Sequence, residues 1–295
     1  MFDLPLKTPV AFIIFKRPEE TQRVFAEIRK VKPSKLLVVA DGPRPDKPGE
    51  DRQCAAARAI IEQVDWECEV LQNYAETNLG CRQRVSSGLD WVFDTVEEAI
   101  IIEDDCLPDR TFFYFAEELL ERYRYDERIM SISGQNVQFG KQRTDCSYYF
   151  SRYTHCWSWA SWRRAWRHYD IDMKLWPSVR DGNFLMDVFE DAHAAKIWTK
   201  TCQLCYDKAI DTWDFQWTFA SFIQNGLNIL SNVNLADINS PYNNMSVEPI
   251  AFPLKHPPFV IRDAQADRFT QESLYDYDPK LVKKVQRKIK EFLKK

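Results

Sequence analysis

Residues 99 to 105 read AIIIEDD, an apolar run that ends in Glu103-Asp104-Asp105. Three consecutive carboxylates at the end of a buried segment repel one another, because neighbouring carboxylates do not all ionise cheaply. A divalent cation relieves that repulsion. All-oxygen donors favour Mn2+ or Mg2+, which keep coordination positions for water and substrate phosphates. If the run is a strand, alternation puts Glu103 and Asp105 on one side and Asp104 on the other, so only part of the triplet can face an ion. The pattern assigns Asp105 to the metal and leaves Glu103 and Asp104 to a ribose or to the groups around the ion. A solvated acidic turn before the helix that begins near Arg110 is the plainer alternative, since acids are common at helix starts.

The elements that must hold this motif are legible as alternating runs. Val10 to Phe15 (VAFIIF), Lys35 to Ala40 (KLLVVA), Glu67 to Gln72 and Ala99 to Ile102 are short and apolar. Pro18-Glu19-Glu20 opens an amphipathic segment with proline and acids where a helix start favours them, and helical text also spans 58 to 64 and 83 to 96. Continuous apolar strands alternating with helices predict an α/β fold with a mainly parallel central sheet flanked by helices. In such sheets ligands bind beyond the carboxyl ends of the strands. The residues there are Lys16-Arg17, Asp41-Gly42 and Glu103-Asp104-Asp105, a set of cations and acids that suits a nucleotide with its diphosphate and metal. Neither GxxxxGK[ST] nor GxGxxG occurs and glycine is scarce at eight residues, which argues against a P-loop ATPase or a dinucleotide oxidoreductase.

With 295 residues, 45% hydrophobic and 14% aromatic, the chain can bury one large core or two unequal ones. No apolar run approaches the roughly 20 residues of a membrane helix, and residues 1 to 10 lack the pattern of a secretory signal. The eight cysteines are scattered rather than gathered into a stapled framework, which fits a reducing compartment. The cytoplasm is the expected setting. Cys202 and Cys205 make a lone CxxC, for which packing is the expected role. The net charge of −4 hides an asymmetry, because Lys280 to Lys295 carries eight basic residues against one acid. The acidic body argues against a nucleic-acid partner. In the tail, Leu281, Val285, Ile289, Phe292 and Leu293 recur at helical spacing with lysines on the other face. This basic amphipathic helix, 280–295, is expected either to dock on its own domain or to lie peripherally on anionic lipid headgroups at the inner face of a membrane.

The segment NLGCRQRVSSGLDWVFDTVEEAIIIEDDCLPDRTFFYFAEELLERY, residues 78 to 123, resembles the nucleotide-sugar core of bacterial family-2-like glycosyltransferases. More distantly it resembles the eukaryotic N-acetylglucosaminyltransferases that initiate complex N-glycans and extend O-mannose. With FKRP at 15–18, ADG at 40–42 and the later WDFQW, the likeness covers roughly residues 8 to 240. It implies a GT-A fold, an EDD version of the DxD metal motif and a nucleotide-diphosphate sugar donor, with uridine as the base in the family pattern. On that likeness Arg17 and Asp41 fall where the nucleoside is contacted, and Glu103, Asp104 and Asp105 fall on the ribose and metal motif. Arg82 and Arg84 are candidates to offset diphosphate charge, a task suited to the arginine fork.

The second half is expected to hold acceptor recognition and a base. Residues 147 to 176 are dense in aromatic rings, of which Trp162 and Trp166, one helical turn apart, read as core. Trp157-Ser158-Trp159, in HCWSWASW, falls where the resemblance places a turn lining the sugar site, and Trp213 joins this sugar-binding and acceptor-binding set. Inverting transfer needs a carboxylate to deprotonate the acceptor hydroxyl. Asp211 and Asp214 stand three apart in DTWDFQWTF, with Phe215, Phe219 and Phe222 fixing their helix on the core. Similarity of Trp213-Asp214 to the family's WD pair selects Asp214, with Asp211 in reserve, although this chain has one acid after the tryptophan where the animal enzymes have two. The expected organisation is one GT-A domain over 1–245, with a nucleotide-sugar half at 1–125 and an acceptor half at 126–245. An irregular lid at 246–279 follows, containing His256, which could reach the metal but, as a lone histidine beside two prolines, reads more readily as structural. The acceptor expected is a glycan or a lipid-linked saccharide. A sugar nucleotidyltransferase and a catalytically inactive carbohydrate-binding protein are the competing readings; the first expects a glycine-rich N-terminal loop, which FIIFKRPEET lacks.

Overall fold

The computed structural model describes residues 5–238 and 246–275. The first apolar runs form strands β1 (Val10–Ile14), β2 (Lys35–Ala40), β3 (Glu69–Tyr74) and β4 (Glu98–Glu103). The helices between them are α1 (Pro18–Val31), α2 (Glu50–Ala59) and α3 (Cys81–Thr95). α1 starts on proline and Glu19-Glu20, ends with Arg29-Lys30 and is closed by Lys32 in the left-handed conformation, so its charges complement the helix dipole at both ends. The third strand begins two residues later than its apolar run, and the helical text at 58–64 resolves into the end of α2 and one 3-10 turn over Ile60–Gln63.

Beyond β4 the chain forms β5 (Cys106–Pro108), α4 (Arg110–Arg122), β6 (Ile129–Ser133), β7 (Tyr148–Ser151) and β8 (Trp159–Trp162). Helices α5 (Arg163–Trp166), α6 (Trp176–Asp181), α7 (Leu185–Phe189), α8 (Ala192–Tyr206) and α9 (Asp214–Ile223) follow, then β9 (Leu227–Ser231), β10 (Ala236–Ile238) and α10 (Ala264–Thr270). The main sheet has eight strands in the order β3-β2-β1-β4-β8-β6-β9-β7. β3, β2, β1 and β4 are parallel, whereas β8 runs antiparallel to both β4 and β6 and β7 runs antiparallel to β9. The expected parallel sheet therefore holds for its first half, and the second half is mixed.

Alternation splits the strands between two cores. Val10, Phe12 and Ile14 pack with Phe25, Ile28 and Phe112 on one face, while Ala11 and Ile13 pack with Leu89, Trp159 and Trp217 on the other. Trp162 and Trp166 are both buried, but not as neighbours on one helix: Trp162 closes β8 and joins the first core, and Trp166 ends α5 in the second. A third cluster, with Tyr153, Trp176, Trp198 and both CxxC cysteines, fills the space among α6 to α9. Burial raises both thiols, Cys205 to about 12, consistent with packing rather than redox or metal chemistry.

The segment 246–275, expected as a lid, is instead fastened along the far edge of the sheet. Ile250 and Leu254 are buried in the first core, Ser147 N donates to Lys255 O at 2.8 Å, Asp263 N donates to Phe150 O at 2.8 Å, and Ser151 Oγ donates to Asp267 at 2.6 Å. His256 lies 3.0 Å from Tyr148 Oη and 3.1 Å from Glu118, a structural setting on that strap and not a metal-facing one. The remainder of the lid, 276–279, and the basic helix 280–295 with its lipid-surface role lie outside the described residues. Among the described residues no helix is long and apolar enough to cross a membrane.

Candidate active site

β1 is flanked by β2 on one side and β4 on the other, so the strand order reverses there, and the crevice beyond these strand ends is the natural ligand site of such a sheet. Asp104 turns back into it from β4. Its Oδ2 accepts from Phe15 N at 3.0 Å and its Oδ1 from Arg17 Nε at 3.0 Å, with Arg17 Nη2 adding a third bond. Arg17 Nη1 reaches Asp105 Oδ2 at 2.9 Å. Desolvation works against the guanidinium charge, but Asp104 and Asp105 outweigh it and hold Arg17 charged beyond its ordinary range. Asp104 is thus a buried anchor joining β1 to β4, and Asp105 beside it is half-buried.

Glu103 is in a different position. Desolvation, followed by the charges of Asp105 and Asp104, drives its carboxyl well above the usual range, Arg17 offsets only part of this, and Asp214 adds to it. One guanidinium therefore faces more negative charge than it balances. Among the described residues no three His, Cys, Asp or Glu side chains form a metal cage by themselves. Glu103 and Asp105 fit an ion of another kind, one that takes one or two carboxylates and completes its shell with water and phosphate oxygens, as Mg2+ and Mn2+ do.

The far wall of the crevice is built from the starts of α3 and α9. Asp214 opens α9; its Oδ1 accepts from Thr212 Oγ1, and burial raises its carboxyl above the ordinary value. The Cys81 thiol, first residue of α3, is raised by desolvation and then by Glu103, Asp211, Asp214 and Asp105. The Cys156 thiol of the HCWSW turn is raised by burial, then by Asp214 and Glu103. Glu103 and Asp214 act on both thiols, so the start of α3 and the HCWSW turn lie near the end of β4 and the start of α9. Neither cysteine carried a signal in the sequence beyond adjacency to a motif.

Asp211, the reserve base, is already committed. Its Oδ1 accepts from Arg82 N at 2.9 Å and its Oδ2 from Cys81 N at 3.2 Å, so both oxygens cap α3. Asp41 is similarly occupied: Gly42 N at 2.8 Å and Leu79 N at 2.9 Å donate to Oδ1, and Asn78 Nδ2 at 2.8 Å to Oδ2. A side chain on Gly42 would sit 2.6 Å from the Thr77 backbone, which is why the ADG turn ends in glycine. Beside it, Glu50 accepts from Lys16 at 2.5 Å and from Arg44 N at 2.8 Å. Burial would raise Glu50, but the Arg44 and Lys16 bonds outweigh it and bring it down to about 2.

The two arginines expected on a diphosphate are engaged elsewhere. Arg84 donates to Ala40 O at 3.2 Å and Asn73 Oδ1 at 2.8 Å, tying the ends of β2 and β3. Arg82 donates to Ile171 O and lies 3.6 Å from Asp172. The tryptophans also depart from expectation. Trp159 and Trp213 are fully buried and stack on each other with centroids 5.6 Å apart, so neither offers a face to a sugar. Ser158 is buried at φ 48, and only Trp157 of that group is half-buried. The resemblance placed the HCWSW turn at a sugar site, and aromatic type does not separate a ring that lines a cleft from one that fills the core behind it.

No protein-family model matches the sequence, and no curated protein matches it. Among solved structures, the chain is similar to the mannosyltransferase PcManGT from Pyrobaculum calidifontis in complex with GDP-Man and Mn2+, at 16% identity and a TM-score of 0.36. The similarity covers 55% of this chain and 47% of that one, about half of each.

Proposed function

We propose that this chain is a metal-dependent glycosyltransferase of GT-A type. It transfers a sugar, with inversion, from a nucleotide-diphosphate sugar, UDP-linked on the sequence resemblance, to a hydroxyl of a glycan or lipid-linked saccharide. The observation that carries this reading is the grouping of Glu103, Asp105 and Asp214, near enough for Asp105 and Asp214 to raise Glu103, at the end of β4 where the strand order reverses, with Arg17 as the guanidinium that opposes Glu103 among the described residues. Such a place accepts a cation and, with it, a polyphosphate.

In this reading Asp105 holds the ion, Glu103 stands on the ribose or among the groups around the ion, and Asp104 keeps the strand ends and Arg17 in register behind them. When bound, the ion supplies Lewis-acid stabilisation to the diphosphate as it departs. The nucleoside lies over the ends of β1 and β2, where Asp41 shapes the floor through the loop amides it binds and the Lys16-Glu50-Arg44 network forms the rim. Asp214 takes the proton of the acceptor hydroxyl. Burial favours this role, because a carboxylate whose proton affinity is raised toward the working pH is the better general base. The hydroxyl of Thr212 orients it.

A thermal-shift series with nucleoside diphosphates tests the donor site directly, since a ligand bound only to the folded form raises the melting point. The expected result is a rise that requires both nucleotide and Mn2+. Melting curves unchanged by every nucleoside diphosphate in the presence of Mn2+ overturn the reading.

A further inference from the structure

We propose that Asp211 is a positioning residue that couples the start of α3 to the start of α9 and so sets where Asp214 stands; the kinetic part of this rests on the reading of Asp214 as the base. The first amides of a helix have no partner within it and are ordinarily capped by a side chain just ahead. At α3 that position is Gly80, which has no side chain and adopts φ 81. The cap arrives instead from Asp211, about 130 residues away in sequence, which takes the Cys81 and Arg82 amides at 3.2 and 2.9 Å.

Three observations make this more than a capping contact. α3 is anchored by Val85, Leu89, Val92 and Phe93 in the core and by Gly88, where an added Cβ would lie 2.4 Å from Val39, so the cap is tied to the sheet itself. Asp211 is three residues before Asp214, with the buried Trp213 between them. Gly80 is fitted to the carboxylate: a Cβ there would lie 3.0 Å from Asp211 Oδ2, at a φ that L side chains rarely adopt. Both Asp211 oxygens are occupied by the amides of α3, so the two acids of DTWD divide the work, one holding and one reacting.

The test compares Asp211→Ala, Asp211→Asn and Gly80→Ala with the wild type by residue-resolved hydrogen exchange and by steady-state kinetics with saturating Mn2+. Asp211→Ala is expected to speed exchange at the first turn of α3 and also at Trp217 and Thr218 in the first turn of α9. Where the wild type transfers sugar, kcat is expected to fall about 10- to 100-fold with donor KM within about twofold, since small misplacement of a reacting group costs rate more than binding. Asparagine, itself a good cap, is expected to restore most of both, and Gly80→Ala to reproduce the defect with the carboxylate still present. Loosening confined to α3 overturns the proposal, as does a rise in KM at constant kcat. A wild type that transfers no sugar but shows the coupled exchange leaves the positioning role standing and removes only the catalytic reading.

Discussion

The two strand ends that border the crevice treat charge in opposite ways. At the end of β2, every buried acid has its opposite or its amides: Glu50 is held by Lys16 and Arg44, and Asp41, though burial still raises its carboxyl, by three donors. At the end of β4 and the neighbouring start of α9, Arg17 is spent on Asp104 and Asp105, while Glu103 and Asp214 are half-buried with their proton affinities raised. A fold gains nothing from leaving carboxylates desolvated and poorly opposed, because buried charge costs stability unless it is paired. The satisfied end is architecture, and the unsatisfied end is where a cation and a reacting proton belong.

The sharpest way to break that contrast is Asp105→Ala. It is expected to abolish the Mn2+-dependent shift with nucleoside diphosphates and to lower transfer by about 10³-fold or more, the scale of losing a charge-stabilising group from an active site. Thermal shift and initial rates check it together. Asp214→Asn should separate binding from chemistry: donor binding by calorimetry unchanged, transfer down by about 10²- to 10⁴-fold. The same variant should be more stable than the wild type by about 1 kcal/mol near neutral pH. The sign follows from linkage. A carboxyl whose folded pKa is raised favours the folded state while protonated and loses that contribution as the pH rises through the folded value, so the advantage of asparagine fades toward acid pH.

At the satisfied end the expectation reverses. Glu50→Gln removes the counter-charge from Lys16 and Arg44, each less than one-third exposed, and should destabilise the protein by about 2 kcal/mol, between the values for surface and buried pairs. Because Glu50 is lowered to about 2, its contribution is present above its ordinary value of 4.5 and lost as the pH falls through about 2. Denaturation midpoints of the two proteins should therefore converge in strong acid. A Glu50→Gln variant as stable as the wild type at pH 7 would erase the contrast.

How much of this could be seen in the sequence follows the same division. The parallel half was legible because buried strands write themselves as continuous apolar runs, and VAFIIF, KLLVVA and AIII became β1, β2 and β4. β6, β7, β8 and β9 gave no comparable signal: IMSIS, YYFS, WASW and LNILS mix polar with apolar or aromatic residues, and β9 pairs with strands that lie most of a hundred positions before it. Within the cleft, the EDD triplet announced itself by charge. The split of Asp211 from Asp214 did not, since a cap supplied from 130 residues away has no local pattern. Trp159 and Trp213 were misplaced for a related reason, as burial behind a site and exposure within it use the same residue type.

Asp267 gives the contrast its finest test, because it is a buried acid with a raised pKa that stands outside the cleft. Burial brings it to about 7 despite the Ser151 hydroxyl and Arg262, and it fastens α10 to β7. If a raised carboxyl alone marked function, Asp267 would belong with Glu103; it stands instead on the strap at the β7 edge of the sheet. Its contribution to stability is full below its ordinary value of 3.8 and lost as the pH rises through about 7. Asp267→Asn keeps an acceptor for Ser151 without the charge, so it should flatten the decline in melting temperature between pH 6 and 8, a gain of about 1 kcal/mol at the upper end. Nucleotide binding and transfer should be those of the wild type. Loss of Mn2+-dependent binding in this variant would mean that the acids of the β4 end are not separable from the rest of the fold.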